Sequence, residues 1–235
     1  MKLLTRATPC VFLVVFLVGC ASSNITARQE YQGGKIARPD HILVYDFAAT
    51  SADVPPESAM AGQYGEHSTP QTSDQIETGR QVGAEIAQVL VEEIRGMGLP
   101  AEEATDQSVP QIGDLVIRGY ILSIDEGSAA KRVAIGFGSG ASHLKTAVEG
   151  YLMTDRGLRR LGSGTEEVGG SKSPGTAVGV AGAIATGNPA GLIISTAMKV
   201  HGEASGSSTI EGRAEQTAKE IAKQLKKKFQ EQGWI

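Results

Sequence analysis

The sequence predicts an α+β domain: an antiparallel or mixed sheet of about four strands, covered on one face by helices, with a Gly/Ala-rich helical hairpin inserted. Three observations support this class. Short apolar or alternating runs typical of strands occur between residues 42 and 168. Two longer segments, 76–94 and 210–229, repeat apolar residues at helical spacing. Their order of strand, helix, several strands and helix favours a sheet with its helices on one side.

The chain begins with a segment that resembles a secretory signal peptide. Lys2 and Arg6 precede an apolar run that is too short to span a bilayer comfortably. The run ends in Leu-Val-Gly-Cys, which resembles the lipobox of bacterial lipoproteins, where the cysteine thiol takes a diacylglycerol and the chain is cut before it. We therefore expect a signal peptide at 1–19 and fatty acylation, for example with palmitate, at Cys20. An ordinary signal peptide with a chance cysteine is the alternative.

The residue after the lipidation site indicates in which membrane a lipoprotein is retained. Ala21 is not the aspartate that retains lipoproteins in the inner membrane. The resemblance to lipoproteins therefore implies a protein that is lipid-anchored to a cell membrane through the acylated Cys20. In a cell with two membranes, it implies the periplasmic face of the outer membrane.

Composition narrows the function further. Cys10 would leave with the signal peptide, so the mature chain would have no free thiol for a disulfide, a thiolate metal site or a cysteine nucleophile. From Cys20 onward the chain has 20 basic and 26 acidic residues and a formal charge of −6, which disfavours nucleic acid as a partner. Residues 20–38 are polar and predict a tether, and residues 39–235 suffice for a single domain.

The first half of the domain predicts a strand, a loop and a helix. The run PDHILVYDF is rich in strand-forming residues. Residues 48–72 are rich in Pro, Ser, Gly and Glu and predict an exposed loop without core residues. The helix that follows would be capped by Ser73 or Asp74 and would end at GMGLP. Glu102 and Glu103 are expected in a loop as solvated charges.

The second half predicts an antiparallel meander and a terminal helix. In GDLVIRGYILSIDEG, alternation places Leu115 and Ile121 on one face and Val116 and Ile124 on the other. HLKTAVEGYLMTD and GLRRLGSGTEEV follow as strands, and Gly157 can supply the positive φ of the turn between them. The last helix carries apolar residues from Ile210 to Phe229.

A Gly/Ala-rich segment precedes the last helix. Residues 177–198 form a stretch of 22 residues without a charge, long enough to span a membrane, but Asn188-Pro189 would break a helix at its midpoint. Two short helices folded at Asn188 fit better, and their glycines allow close packing, with Gly175 and Gly179 in one pair and Gly187 and Gly191 in the other. The hairpin would pack on its own domain, form a surface for self-assembly or membrane contact, or insert into a membrane.

Two stretches resemble short motifs of nucleotide binding or catalysis, but the sequence around them does not fit those motifs. The stretch KRVAIGFGSGASHL has Gly136, Gly138 and Gly140, which is not the G-x-G-x-x-G spacing of a dinucleotide site, and a strand-like segment follows it. A glycine-rich link between strands is the better interpretation. Ser142 and Lys145 match S-x-x-K, but in a strand they would point to opposite faces. The sequence therefore predicts no enzyme, no nucleotide, no metal and no other cofactor.

The terminal helix is rich in lysine. Lys219, Lys223 and Lys227 recur at four-residue spacing. They predict either a docking surface for an acidic partner or a plain solvated face.

Several segments together resemble the bacterial lipoprotein family called domain of unknown function 4410. They are PDHILVYDF, GDLVIRG, DEGSAAKRVAIGFGSGAS, and SPG before the Gly/Ala-rich segment. The resemblance implies a lipoprotein without an assigned activity. The order of elements is more remotely similar to periplasmic domains of envelope lipoproteins that assist cell-wall synthesis or build the curli secretion channel.

The sequence thus predicts an outer-membrane-anchored periplasmic lipoprotein that is a non-enzymatic protein-binding or structural module of the cell envelope. Its expected partners are the bilayer and an envelope protein or a second copy of the chain. The alternative is a subunit of an oligomeric envelope assembly or secretion channel, in which residues 175–201 self-associate or insert in the membrane.

Overall fold

A computed structural model describes residues 22–61, 71–125, 142–169, 193–194 and 210–235. Within these ranges the strands are β1 (Ser22–Gln29), β2 (Ile42–Tyr45), β3 (Ala101–Ala104), β4 (Leu115–Asp125), β5 (His143–Thr154), β6 (Gly157–Gly169) and β7 (Ile193–Ile194). The helices are α1 (Ser73–Gly96), α2 (Ile210–Gln232) and a short 3-10 helix, Ser51–Asp53. Cys20, the stretch 131–141 and the glycines at 175, 179, 187 and 191 lie outside the described residues, so the predictions about them stay predictions.

The strands form one mixed sheet. Its order is β1-β6-β5-β4-β2-β3, and β7 pairs with β4. The β1–β6, β5–β6 and β4–β5 pairs are antiparallel, whereas β2 is parallel to both β3 and β4, and β7 is parallel to β4. The predicted α+β class is confirmed, but the described part has seven strands where about four were predicted.

Helices α1 and α2 cover one face of the sheet, which we call the helix face. Thr72 caps α1 with its side chain, which accepts a hydrogen bond from the Gln75 amide, one residue before the predicted cap. Gly98, at φ +79°, ends this helix as expected. The two helices and the sheet form one apolar core, which includes Ile42, Val44, Val82, Ile86, Leu90, Ile94, Leu115, Ile117, Ile121, Ala218, Ile221 and Phe229.

The side chains of strand β4 switch to the opposite face of the sheet partway along the strand. Leu115, Ile117 and Ile121 belong to the helix-face core, and so does Ile124, which alternation had placed on the opposite face. A register shift lies between Ile121 and Ser123, opposite Thr146 and Lys145 of β5. A bulge adds one residue, so the alternation restarts in the opposite phase beyond it. The prediction for Ile124 was therefore wrong.

The other face of the sheet, here the outer face, is partly covered by residues 51–61. Met60 is buried with Tyr120, Leu122 and Ala147, and Val54 packs against them. The predicted loop, residues 48–72, was expected to carry no core residues, and that prediction was wrong for Met60 and for Ala48, which belongs to the same buried cluster. Its Pro, Ser and Gly content correctly excluded regular strands but gave no sign of a single apolar anchor.

Three short strands lie where the sequence predicted other structure. Ser22–Gln29, within the predicted tether, pairs with β6 along its length. Glu102 and Glu103, expected in a loop, lie in β3, which pairs with β2. Ile193–Ile194, within the predicted helical hairpin, pairs with β4. Main-chain hydrogen bonds define such short or edge strands, so a polar sequence gives little apolar alternation to signal them.

Among the described residues, neither helix combines the length and the apolar composition that a membrane span requires.

Candidate functional site

The predicted lysine surface lies on the exposed side of α2. Lys219, Lys223 and Lys227 are all exposed and follow each other at one-turn intervals. Lys219 Nζ lies 2.6 Å from Glu215 Oε1, and Lys223 Nζ lies 3.3 Å from Glu220 Oε2. The hydrogen bond from Lys219 to Glu215 raises the pKa of Lys219. Two of the three charges are therefore balanced on the helix itself, which weakens the surface as an attractor of acidic partners.

The S-x-x-K residues do not form a catalytic pair. Ser142 is buried and accepts a hydrogen bond from Arg213 Nε of α2 at 3.2 Å, on the helix face. Lys145 Nζ lies 3.6 Å from Glu167 Oε2, and both residues stand at outer-face positions of the β5–β6 pair. The prediction that the two side chains point to opposite faces is confirmed.

A buried carboxylate on the outer face lies at the centre of a cluster of polar side chains. Glu149, in the middle of β5, is only 2 % exposed. Three hydroxyls donate to its Oε2 atom: Ser58 Oγ at 2.7 Å, Tyr120 Oη at 2.9 Å and Tyr151 Oη at 2.6 Å. These donors come from the loop after β2, from β4 and from β5 itself. We call Ser58, Tyr120, Glu149, Tyr151 and Arg160 the Glu149 cluster.

The second oxygen of Glu149 is also occupied. The Ala59 amide donates to Oε1 at 3.3 Å, and Arg160 Nη1 of β6 lies 3.6 Å from the same atom. A buried carboxylate costs several kcal/mol of desolvation unless such partners surround it. Each of the five partners donates a hydrogen bond to the Glu149 carboxyl group or carries positive charge beside it.

The tyrosines of the cluster are held in their protonated form. Burial, followed by the charge of Glu149, raises the pKa of Tyr120 far above its ordinary value. Burial and then the hydrogen bond to Glu149 do the same for the pKa of Tyr151. Both phenols are therefore harder to ionise than an ordinary tyrosine and remain donors to the carboxylate.

A second ion pair fastens the same loop. Arg118, directly opposite Glu149 in the β4–β5 register, lies 3.3 Å from Glu57 Oε1. Its guanidinium also stacks on the ring of Tyr45, 4.2 Å from the centroid. Residues 57–59 are thus joined to the sheet by an ion pair and two hydrogen bonds. The Glu149 cluster acts as a polar clamp between this loop and the outer face.

The cluster lacks the features of a catalytic site. Ser58 Oγ donates to the Glu149 carboxylate and accepts from the Met60 amide at 2.9 Å, so the hydroxyl is engaged both as donor and as acceptor. A serine nucleophile needs a base with a free acceptor and a cavity for the substrate carbonyl. Among the described residues, no group of three His, Cys, Asp or Glu side chains is arranged to hold a metal ion.

Sequence reasoning missed the Glu149 cluster. Glu149 and Tyr151 share a face in the middle of a predicted strand, and this spacing could have marked Glu149 as a buried acid that needs partners. Ser58 could not have been found in this way, because it lies 91 residues away in a segment without periodicity.

Comparison with known families places this cluster inside a recognised domain. The family model described as "Domain of unknown function (DUF4410)" matches residues 42–187. The chain belongs to this family. Every residue of the Glu149 cluster lies within the matched span, whereas α2 lies beyond it. The family resemblance predicted from the sequence is confirmed.

The chain was also compared with curated proteins and with solved structures. None of the curated proteins matches the sequence. Among solved structures, the chain is similar to a PelC dodecamer from Paraburkholderia phytofirmans, with 15% identity, 70% of this chain and 94% of that chain covered, and a TM-score of 0.37. A crystal form of a point variant of the same PelC gives 16% identity, 70% and 93% coverage, and the same TM-score of 0.37.

Proposed function

We propose that the protein is a lipid-anchored module of the cell envelope that binds another protein and does not catalyse a reaction. The observation that carries the proposal is the state of the Glu149 cluster. The ionisable and hydroxyl groups of this cluster are mostly buried, and they hold a loop on the sheet. Such a cluster stabilises a rigid surface and offers no reactive group to a substrate.

The anchor is supported by the sequence alone. The Leu-Val-Gly-Cys run that ends at Cys20 would place a lipid two residues before β1 begins at Ser22. The domain would then stand close to the bilayer surface, and a water-filled periplasm would be the compartment of its partner. The exposed side of α2 is the surface on which we test for the partner, although Glu215 and Glu220 balance two of its lysines.

The anchor is tested by metabolic labelling with palmitate. Cys20→Ala should abolish the label and release the protein from the membrane fraction, whereas Cys10→Ala should leave the label unchanged. Labelling of the Cys20→Ala chain would contradict the anchor.

The partner is tested by photo-crosslinking in cells. A photo-reactive residue at Lys227, on the exposed side of α2, should give a discrete adduct with an envelope protein. The same residue at Glu102, on the edge strand β3, is the matched control and should give no such adduct. An adduct of the chain with itself, in a discrete detergent-stable ring, would instead favour the oligomeric assembly predicted as the alternative.

A further inference from the structure

A cavity lies between α2 and the β5–β6 part of the sheet. Its volume is about 190 Å³, and it is distinct from the Glu149 cluster, which lies on the outer face. Helix α2 contributes one stripe of residues at intervals of three and four. The lining includes Tyr31, Ile36, Leu115, Ile117, Val148, Leu161, Ile221, Leu225, Phe229 and Trp234, and it is therefore mainly apolar.

The cavity extends to Gly150 of β5, where a side chain would fill part of it. Gly150 of β5 pairs with Gly162 of β6, and Val148 pairs with Gly164. Gly150, Gly162 and Gly164 therefore lie on the helix face together with Val148, because side chains alternate along a strand. A Cβ at Gly150 would meet nothing within 4 Å. The space beside Gly150 therefore exists because this residue has no side chain, and the neighbouring side chains do not fill it.

Gly162 serves a second purpose at the same place. The chain that leaves β1 crosses β6 there, and a Cβ at Gly162 would lie 2.7 Å from the carbonyl oxygen of Gln29. This crossing brings Tyr31 and Ile36 over one end of the cavity. Trp234 closes that end, with its ring stacked on Phe229 at 5.2 Å and its Nε1 donating to the Ile36 carbonyl at 3.0 Å.

The lining of the cavity extends along α2. It runs from Ile221 to Gln232, about 16 Å at ~1.5 Å per residue. Along β6 it runs from Leu161 to Glu166, about 16 Å at ~3.3 Å per residue. An apolar cavity of ~150 Å³ stays dry and accepts a benzene-sized guest. A similar volume drawn out over this length fits a linear chain better than a ring.

The charges at the cavity favour a neutral head group. Lys228 is the basic residue of the lining, and its Nζ already lies 3.4 Å from Glu30 Oε1 and 2.7 Å from Glu231 Oε2. Two carboxylates beside one ammonium group leave no excess of positive charge for an anionic head group. Gln224 and Gln232, also in the lining, supply uncharged amides that a hydroxyl could meet.

We infer that this cavity binds a single linear alkyl chain that carries a neutral polar head. The inference is independent of the proposed function, since it rests on the cavity and on no property of Cys20. An apolar chain would leave bulk water for an apolar lining, and the hydrophobic effect would supply its affinity.

The chain's single tryptophan reports on the cavity directly, because Trp234 lines it. The full chain with Cys20→Ser, prepared without detergent, is titrated with 1-hexanol, 1-octanol and 1-decanol while the emission of Trp234 is recorded. We expect a saturable blue shift and an affinity that rises about fourfold per added methylene. A shift that does not saturate with 1-decanol would overturn the inference.

Two glycine variants provide the matched pair. Gly150→Leu places a side chain in the cavity and should weaken 1-decanol binding at least tenfold. Gly96→Leu, at the end of α1, also meets nothing within 4 Å at its Cβ and lies outside the lining, so its affinity should equal that of the parent chain. Equal affinity in the two variants would overturn the inference. Gly150→Ala, with a smaller expected loss, serves if Gly150→Leu fails to fold.

Two further ligands test shape and charge. 1-Naphthol, a rigid double ring, should bind more weakly than 1-decanol, and tighter binding would overturn the linear chain as ligand class. Decanoate has the same chain length with an anionic head and should also bind more weakly. Tighter binding of decanoate than of 1-decanol would overturn the neutral head group.

Discussion

The sheet carries a covering layer on each face, and the two layers are attached by different interactions. On the helix face, α1 and α2 pack through apolar side chains such as Ile86, Leu90 and Ile221. On the outer face, residues 57–59 are attached through Glu149 and Arg118. The first kind of contact depends on area and volume, whereas the second depends on direction and charge.

This difference predicts how each face responds to change. Apolar packing can leave a gap, as it does beside Gly150, because no single contact of that kind is indispensable. If a buried carboxylate loses its donors, or the donors lose the carboxylate, polar groups are left buried without a hydrogen bond. We therefore expect the outer face to be sensitive to one side chain and the helix face to be sensitive to shape.

The largest effect should follow the loss of the central carboxylate. Glu149→Ala leaves three hydroxyls and the Arg160 guanidinium without their acceptor, and removal of one member of such a buried set costs about 3–5 kcal/mol. The free energy of unfolding is measured in urea. Glu103→Ala, which removes an exposed carboxylate from β3, is the control and should change it by less than about 0.5 kcal/mol. Similar losses for both variants would contradict the polar clamp.

Among the described residues of the helix face, Glu166 is a buried acid, and it predicts that the stability of the fold depends on pH. Glu166 of β6 lies beneath α2, where burial, and then the charge of Glu220, raises the pKa of Glu166 to about 7, against the opposing effect of Lys223. The folded protein thus binds this proton more tightly than the unfolded chain does. The resulting stability is complete below about pH 4.5 and is lost as the pH rises through about 7.

A substitution isolates this contribution. Relative to Glu166→Gln, the parent chain should lose up to about 3 kcal/mol of unfolding free energy between pH 4.5 and pH 8. Glu167→Gln, its neighbour on the outer face, should keep the slope of the parent chain. Urea unfolding at several pH values measures both. A parent chain and a Glu166→Gln variant with parallel pH profiles would show that Glu166 is solvated.

The sequence predicted the elements better than it predicted what joins them. The helical repeat from Ile76 to Ile94 and the turn at Gly157 follow from local periodicity and backbone preference, and both were found where expected. Ile124 was misplaced because a bulge is set by the partner strand as well as by the strand itself. β1 was missed because edge pairing depends on main-chain groups that every residue has.

The Glu149 cluster and the apolar cavity were missed for a related reason. Each is assembled from segments far apart in the chain, as Ser58 and Glu149 are, or Tyr31 and Trp234. Periodicity describes one element at a time and cannot show which loop will cross which strand. A single glycine such as Gly150 likewise gives no sign of whether its Cβ position is crowded or empty.

The smallest effect that we predict compares two glycines on the helix face of neighbouring strands. A Cβ at Gly119 of β4 would overlap the ring of Phe47, whereas a Cβ at Gly150 of β5 would meet nothing within 4 Å. The ring cannot retreat easily, because Phe47 is 1 % exposed within the helix-face core and its backbone amide is held by the Gly83 carbonyl of α1 at 3.2 Å. Gly119→Ala should therefore cost about 1–3 kcal/mol, as overpacking does.

Gly150→Ala is the matched partner of that variant, since it adds the same methyl group to the same face of the same sheet. It should change the unfolding free energy by less than about 1 kcal/mol, because it meets no atom and lowers the entropy of the unfolded chain. Urea midpoints of the two variants and the parent chain give the comparison. If Gly150→Ala proved as costly as Gly119→Ala, the helix face would be filled along its whole length, and the cavity beneath α2 would have no room for an alkyl chain.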